Sequence, residues 1–314
     1  MNENPLITFA LFAYNQERYI RKAVEAALNQ DYSPLEIIIS DDCSTDRTFE
    51  IISEIIQSYK GNHIVRINKN KVNLGLIGHV NYMFEIAKGE IIVVAAGDDI
   101  SLPNRVSYIV NFYLQNNKPL LIHSSVIKIN DNNENLGIAI PPIIEESMAL
   151  DKLADCTGLY FGAAGAWSKK LYQEFGPIIF ENTYEDLVLG FRAALKNSIL
   201  FIDTPLIQYR TDVGISAKSN LSVFKLMSKI QYRIKIHEIT LNVYKQRLAD
   251  INYVKELSVS NMLKSRLLRN ISLQENKILF YQNPFGLFTL MFTREFIIVL
   301  KSIRCEIKYL MGLE

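Results

Sequence analysis

The sequence predicts an α/β protein built on a mostly parallel sheet with helices over both faces. Three observations carry this. The run Ile91-Ile92-Val93-Val94-Ala95-Ala96 after Gly89-Glu90 reads as a strand buried on both sides. Around it, strand-like and helix-like segments alternate at the spacing that βαβ units require. Behind it stand Gly97-Asp98-Asp99, two adjacent carboxylates at the carboxyl end of a strand, where open α/β sheets bind their ligands.

Each element has its own justification. Leu6–Ala13 is strand-like, and Asn15 is placed to cap a helix from about Glu17 to Asn29. Ser33-Pro34 breaks the chain before a second strand, Leu35–Ile39, whose loop is Asp41-Asp42-Cys43-Ser44-Thr45-Asp46. Phe49, Ile52, Ile55 and Ile56 share one side of a helix over Phe49–Tyr59. His63–Ile67 reads as a third strand, and Asn73-Leu74-Gly75 turns into a helix through Ala87. Pro119–Ile129 and a turn at Asp131–Gly137 predict antiparallel strands extending the sheet. Ile138 to about Asp155 is irregular and reads as a loop over the site. Helices follow near Ser168–Phe175 and Glu185–Lys196, then a strand near Ile199–Ile202, and from Asn220 the pattern is helical.

At 314 residues and 49% hydrophobic, the chain can bury one large core or two modest ones. A net charge of +1 hides an asymmetry: residues 1–219 hold 19 basic against 26 acidic side chains, and residues 220–314 hold 15 against 7. An acidic body with a basic tail suggests a nucleic-acid or membrane contact. No aromatic-and-basic module for nucleic acid is present, so nucleic acid is not expected. Cys43, Cys156 and Cys305 are too few and too far apart for a disulfide framework or a zinc site, which fits a reducing cytosol. No signal-peptide pattern and no run of 18 apolar residues is evident. His63, His79, His123 and His237 lack metal-ligand spacing, and His123 reads as a satisfied strand residue.

Three acidic loops are candidates for chemistry: Asp41/Asp42, Asp98/Asp99 and Glu185/Asp186. Adjacent carboxylates repel each other and any phosphate, which makes most sense with a divalent cation between them and a diphosphate. Asp98/Asp99 also fit a cap for the helix that Ser101-Leu102-Pro103 can start, and Asp41/Asp42 fit an Asx-turn into the helix at Thr48. Tyr14, at the end of the first strand, could stack a base beside the first acidic loop. No G-x-G-x-x-G follows the first strand and no P-loop occurs, which disfavours Rossmann oxidoreductases and P-loop NTPases.

Phe12-Ala13-Tyr14-Asn15-Gln16-Glu17, Ser40-Asp41-Asp42-Cys43-Ser44-Thr45-Asp46, Asn73-Leu74-Gly75 through Asn81, Ala87-Lys88-Gly89-Glu90-Ile91-Ile92, Gly97-Asp98-Asp99 and Tyr184-Glu185-Asp186 occur in this order. Together they resemble the family 2 glycosyltransferases of the GT-A fold, inverting enzymes that use nucleotide-diphosphate sugars. The resemblance covers roughly residues 5–215. It implies a Rossmann-like mixed, mostly parallel sheet covered by helices, with a helical C-terminal extension. Residues 1–215 would be catalytic, with a nucleotide-sugar half near 1–100 and an acceptor half near 101–215, and residues 216–314 would be the helical extension.

By the same resemblance, Tyr14 would stack on the base, Asp42 would accept its imide N–H, and Glu17 would stand on the donor side. Asp98 would contact ribose or sugar, Asp99 would ligate Mn²⁺ or Mg²⁺, and Asp186 would be the general base. Trp167, Glu185, Arg192 and Arg210 are possible acceptor-side or supporting residues. Trp167 lies in the Gly/Ala-rich segment Gly162–Trp167, which could line the acceptor side or pack a helix closely. Arg192 could form an ion pair, and Arg210 could reach diphosphate or acceptor, or form a surface ion pair. The chain departs from the family pattern at Phe12-Ala13, where Pro-Thr is usual, at Cys43 for Gly, at Val80 for Arg, and at Gly97-Asp98-Asp99, which shortens the commoner Asp-x-Asp-Asp by its first acid. A UDP-sugar donor and a glycan or lipid-linked acceptor in bacterial surface polysaccharide synthesis are the expected partners, with a homodimer left open. A sugar nucleotidyltransferase is the rival reading, although Phe12–Arg18 lacks its Gly-rich basic loop; a non-catalytic glycan- or membrane-binding protein on the same fold is another.

In Thr289–Gly312, at about 100° per residue, Phe292, Phe296, Val299, Leu300, Ile303, Ile307 and Leu310 share one face. Arg294, Lys301, Arg304 and Lys308 fall opposite. Such a helix reads either as a membrane-interface element or as one packed on protein. The first reading places the protein in the cytoplasm, peripheral at the inner face of the cell membrane.

Overall fold

The computed structural model describes residues 4–142, 150–211, 226–254, 257–283 and 296–310. Strand–helix alternation runs from β1 (Ile7–Ala13) and α1 (Ile20–Leu28) through β2 (Leu35–Asp41), α2 (Thr48–Ser58) and β3 (Ile64–Lys69) to α3 (Gly75–Ile86) and β4 (Ile91–Ala96). Then come β5 (Ile100–Ser101), α4 (Arg105–Gln115), β6 (Leu121–Ser124), β7 (Val126–Ile129), β8 (Asn135–Ala139) and α5 (Leu150–Asp155). A 3-10 turn at Gly162–Ala164 leads into β9 (Gly165–Ser168), α6 (Lys169–Phe175), α7 (Glu185–Leu195), β10 (Ile199–Ile202) and β11 (Ile207–Arg210). The remainder is α8 (Leu226–Asp250), α9 (Leu257–Gln282) and α10 (Phe296–Leu310).

Seven strands form the main sheet in the order β10-β6-β9-β4-β1-β2-β3. All its pairs are parallel except those of β9, which runs antiparallel to both β4 and β6. Two-sided burial explains the composition of the central strands: nearly every residue of β1, β2 and β4 is buried, so none of them alternates. The core runs from Ile7, Phe9 and Leu11 through Ile37 and Ile39 to Ile91 and Val93, with Ile20 and Val24 of α1 packed on it.

The expected extension of this sheet beyond Pro119 is corrected in one respect. Of the strands within Pro119–Ala139 only β6 joins the main sheet, whereas β7 and β8 form an antiparallel pair in a second, four-stranded sheet of order β5-β11-β7-β8. Short strands with mixed exposure do not declare in sequence which sheet they enter. This second sheet matters for the site, because β5 directly follows Asp99 and its partner β11 ends at Arg210.

The chain divides into two compact units: residues 1–148, 158–181 and 185–217, and residues 149–157, 182–184 and 218–314. Part of the segment read as an irregular loop is the helix α5, which belongs to the second unit. There the Asp155 carboxylate is gripped by Arg266 and Asn270, and Arg247 donates to the carbonyls of Leu153, Ala154 and Cys156. Residues 143–149 lie outside the described chain.

Residues 289–295, 311 and 312 of the basic amphipathic segment also lie outside the described residues, and α10 holds the rest. On α10, Ile303 is buried on the apolar stripe and Glu306 is buried beside it. The Glu306 carboxylate accepts from Arg233 Nε (2.8 Å) and Tyr281 Oη (2.7 Å), with Lys277 Nζ at 3.3 Å and His237 Nε2 at 3.3 Å. Burial pushes this carboxyl up, but bonds from His237, Arg233 and Tyr281 outweigh it and hold Glu306 well below the usual carboxylate range. Helix α10 therefore packs within its own unit through one side, while Lys301, Arg304 and Lys308 remain exposed. Among the described residues no helix is long and apolar enough to cross a membrane.

Candidate active site

Strand register builds the site. Phe12 pairs with Ala96 and Ala13 with Asp41, so Tyr14, Asp42 and Gly97-Asp98 leave the main sheet along one edge. Tyr14 is 47% exposed there, leaving its ring open to stack on a planar ligand. Asp42 is buried, and its Oδ1 accepts from Asn70 Nδ2 and the Leu74 N–H, both at 2.8 Å. The neighbouring Asp41 makes the turn: its Oδ2 accepts the Ser44 N–H at 3.0 Å, and its Oδ1 bonds the Ser44 hydroxyl. Cys43 occupies the left-handed region at φ +63°, a conformation that glycine adopts without strain.

Asn15 does not cap α1. Its φ is +52°, its N–H donates to Ser44 Oγ (2.8 Å) and its Oδ1 accepts the Thr45 N–H (2.9 Å), so it ties the loop after β1 to the loop after β2. The N-cap of α1 is Tyr19, which makes no side-chain cap bond. Glu17 is exposed and accepts the Arg47 N–H at 3.0 Å, at the start of α2.

Asp98 and Asp99 are 8% and 6% exposed, and both carboxyls are raised. For Asp98 the cause is burial, offset in part by the Arg210 charge and a Gln16 hydrogen bond. For Asp99 it is burial and then the charge of Asp98, against which the Arg210 N–H and the Arg105 and Arg210 charges act. Arg210 is buried rather than part of a surface ion pair. Its N–H donates to Asp99 Oδ1 (2.8 Å), its Nε to the Asp98 carbonyl (3.0 Å) and its Nη2 to Asn133 Oδ1 (2.7 Å), with the guanidinium 4.6 Å above the Tyr19 ring. The second sheet thus fastens the acid pair from behind.

Glu185 and Asp186 open α7 and are part-buried. Burial, and then the charge of Asp186, push the Glu185 carboxyl up to about 8. Asp186 Oδ1 accepts the Leu187 N–H at 2.7 Å. The turn Gly162–Ala164 lies against this pair: a Cβ on Gly162 would stand 2.3 Å from Glu185 Oε1 and 3.8 Å from Asp186 Cβ. Tyr160 is buried nearby; burial, then the charges of Glu185 and Asp186, raise its hydroxyl well above the ordinary phenol.

Trp167 does not line an acceptor face. It is fully buried in β9, stacked on Phe84 at 5.5 Å, and donates Nε1–H to Tyr160 Oη at 2.9 Å. Its position between β4 and β6 makes it core, and its hydrogen bond to Tyr160 links it to a neighbour of the acid pair. Arg192 is buried and donates to the carbonyls of Gly176 (2.8 Å) and Pro177 (3.2 Å), bracing the segment ahead of α7. His123 is not the satisfied strand residue expected. Its Nδ1 is buried between Tyr160 and Phe201 with no hydrogen-bond partner among the described residues, and burial lowers the ring to about 4, so it is neutral.

Carboxylate oxygens suit Mg²⁺ or Mn²⁺, and the raised Asp98/Asp99 pair has the uncompensated character that a divalent cation relieves. Among the described residues no group of three or more His, Cys, Asp or Glu is gathered to hold a metal. The pair therefore fits a cation that takes one or two protein ligands and completes its shell from a diphosphate and water.

Sequence reasoning missed Arg105 and Tyr160, and took Gly162 only as the start of the Gly/Ala-rich segment. Arg105 did carry a signal: a cation in the first turn of α4 opposes the helix macrodipole, which is unfavourable by about 0.3–1 kcal/mol unless a partner compensates.

Comparison with known proteins agrees with this geometry. The model of the family described as Glycosyl transferase family 2 matches residues 8–172. Over 107 residues the chain is 38% identical to the Escherichia coli UDP-Glc:alpha-D-GlcNAc-diphosphoundecaprenol beta-1,3-glucosyltransferase WfaP, covering 34% of this chain and 41% of that protein. The chain spans about half the length of the curated relatives it matches, 59% of one and 39% and 44% of two others. The fold is similar to S. aureus TarS 1–349 in complex with UDP-GlcNAc, with a TM-score of 0.59 and 16% identity over 94% of this chain and 79% of that one. It is also similar to the Pyrobaculum calidifontis mannosyltransferase PcManGT in complex with GDP-Man and Mn²⁺, with a TM-score of 0.54 and 13% identity over 100% of this chain and 89% of that one.

Proposed function

This chain belongs to glycosyl transferase family 2, and we propose that it moves a sugar from a nucleotide-diphosphate donor to a hydroxyl of a glycan or lipid-linked glycan, with inversion at the anomeric carbon. The observation that carries this reading is the presence of two acidic pairs in one α/β unit: the buried Asp98/Asp99 behind β4 and the part-buried Glu185/Asp186 at the start of α7. In this reading residues 1–215 are catalytic and residues 216–314 form an attached helical region.

Tyr14 stacks on the nucleobase and Asp42, fixed by Asn70 and Leu74, accepts its imide N–H. Asp98 contacts ribose or sugar, and Asp99 would hold Mn²⁺ or Mg²⁺. A bound cation supplies Lewis-acid stabilisation of the departing diphosphate. Asp186 accepts the proton of the acceptor hydroxyl as its oxygen bonds the anomeric carbon and the bond to the diphosphate breaks, a contribution of about 10²–10⁴-fold for a general base. Glu185, Arg192 and Arg210 support these groups rather than touch the reacting atoms. WfaP, whose name contains UDP-Glc and a diphosphoundecaprenol acceptor, and TarS with UDP-GlcNAc favour a UDP-sugar and a lipid-linked acceptor in surface polysaccharide synthesis.

The test is a panel of UDP- and GDP-sugars with Mn²⁺ or Mg²⁺, scored by calorimetry for binding and by nucleoside-diphosphate release without acceptor. At least one donor should bind in a metal-dependent way and be slowly hydrolysed. Formation of nucleoside triphosphate and sugar 1-phosphate when pyrophosphate is added would instead mark a nucleotidyltransferase, and no binding by any donor would remove the reading.

The exposed Lys301, Arg304 and Lys308 of α10 support peripheral attachment to an anionic membrane at the cytoplasmic face. Basic residues near such a leaflet contribute about 1 kcal/mol each, so binding should weaken steeply with salt. Removing the tail would also remove Glu306, the ion-pair partner of the part-buried Arg233 and Lys277, so substitution is the cleaner test. The full chain should sediment with anionic vesicles at low salt, and a variant with Lys301, Arg304 and Lys308 all changed to Gln should not. A full chain that ignores such vesicles would end the membrane reading.

A further inference from the structure

Arg105 is 1% exposed in the first turn of α4, and its interactions reach two distant parts of the catalytic unit. Nη1 donates to Ser101 Oγ at 2.9 Å, on the strand that follows the diacid. Nη2 donates to the Ala163 carbonyl at 2.8 Å and the Gly165 carbonyl at 3.4 Å. Those carbonyls belong to and follow the turn whose Gly162 lies against Glu185 Oε1. Burial lowers the guanidinium to about 9 while the charge of Asp99 opposes this, so the same side chain also answers the diacid electrostatically.

We propose that Arg105 is a positioning residue that fixes the Asp98/Asp99 pair relative to the Glu185/Asp186 pair, acting through Ser101 on one side and the Ala163 and Gly165 carbonyls on the other. The proposal rests on the glycosyl-transfer reading of those two pairs. A planar guanidinium can serve three oxygens held in fixed directions, whereas the point charge of a lysine ammonium cannot reproduce that fork. In-line displacement needs the base and the leaving-group side held across one sugar, and a misplacement of about 1 Å can cost about 10²-fold in rate. Gly162 completes the strut. A methyl group there would stand 2.3 Å from Glu185 Oε1, so the Glu185 carboxyl would have to shift to make room for it.

The test compares wild type with Arg105→Lys, Ser101→Ala and Gly162→Ala, using a donor that wild type binds with Mn²⁺. Donor affinity is measured by calorimetry, nucleoside-diphosphate release at saturating donor gives kcat, and melting curves set a temperature at which each variant is fully folded. Arg105→Lys and Gly162→Ala should each keep donor affinity within about threefold while kcat falls about tenfold or more, and Ser101→Ala should show a smaller loss of the same kind. A residue that only filled the core would lower the melting temperature and leave kcat of the folded enzyme intact. If Arg105→Lys does not fold, the other two variants decide. Unchanged kcat in the folded variants, or loss that disappears at saturating donor, overturns the proposal. A wild type that binds and hydrolyses no donor overturns the functional reading first, and this proposal with it.

Discussion

The two acid pairs of the catalytic unit are built oppositely. Asp98/Asp99 is surrounded by positive charge: Arg210 bonds it through N–H and Nε, and the charges of Arg105 and Arg210 act on Asp99. Glu185/Asp186 faces a phenol and a backbone turn, and the charge acting on Glu185 is that of Asp186, of its own sign. Burial raises carboxyls in both places, but its consequence differs. Cations beside the first pair oppose that rise without cancelling it, and a divalent cation bound there would displace the protons that burial favours. At the second, burial and the like charge of Asp186 favour the protonated form of Glu185.

The largest expected effect separates the pairs by ligand. Asp99→Ala should remove metal-dependent binding of nucleotide sugar while the unit stays folded, because the site would lose its proposed cation ligand. Calorimetry with and without Mn²⁺, beside a melting curve, checks this. Metal-dependent affinity equal to that of wild type would show that the raised pair at β4 is not the cation site.

Asp186→Asn should leave donor affinity in place and lower kcat by about 10²-fold or more, since the amide keeps the size of the side chain but cannot accept the proton. The contrast between the two variants is the sharpest form of the comparison: one loses binding, the other turnover. Near-normal turnover of Asp186→Asn at saturating donor would place the base elsewhere, with Glu185 the first group to examine.

How much of this was legible in sequence depends on the range of the interaction. The continuous apolar runs of β1, β2 and β4, and the loops directly behind them, announce the sheet because burial and register there are set by neighbouring residues. Ile199–Ile202 and Glu185–Leu195 were readable for the same reason. The second sheet was not, because β5 is two residues long and pairs with a strand about a hundred positions later. Trp167 and Arg210 look alike in sequence as large groups near a site, yet one is core and the other a clamp on the acid pair. Arg105 bonds Ala163 across 58 residues of chain, and no local pattern records that contact.

The smallest expected effect concerns Glu185 and tests the second half of the comparison. With its carboxyl pushed up to about 8 by burial and by Asp186, Glu185 is largely protonated in the folded enzyme at neutral pH. Glu185→Gln, which has nearly the same shape and is always neutral, should therefore keep kcat within about threefold at pH 7, far from the loss in Asp186→Asn. Its signature should appear in stability. Between the ordinary glutamate value and about 8, the folded wild type holds one proton more than the unfolded chain, so its stability falls as pH rises, by at most about 1.4 kcal/mol per pH unit. The amide of the Glu185→Gln variant cannot ionise and escapes that fall. The melting temperature of the variant minus that of wild type should grow from pH 5 to pH 8 and then level off, by about 2–4 °C for each kcal/mol. A difference that stays flat or shrinks over that range would mean that Glu185 is ionised in the folded state, and that the two acid pairs are more alike than their surroundings suggest.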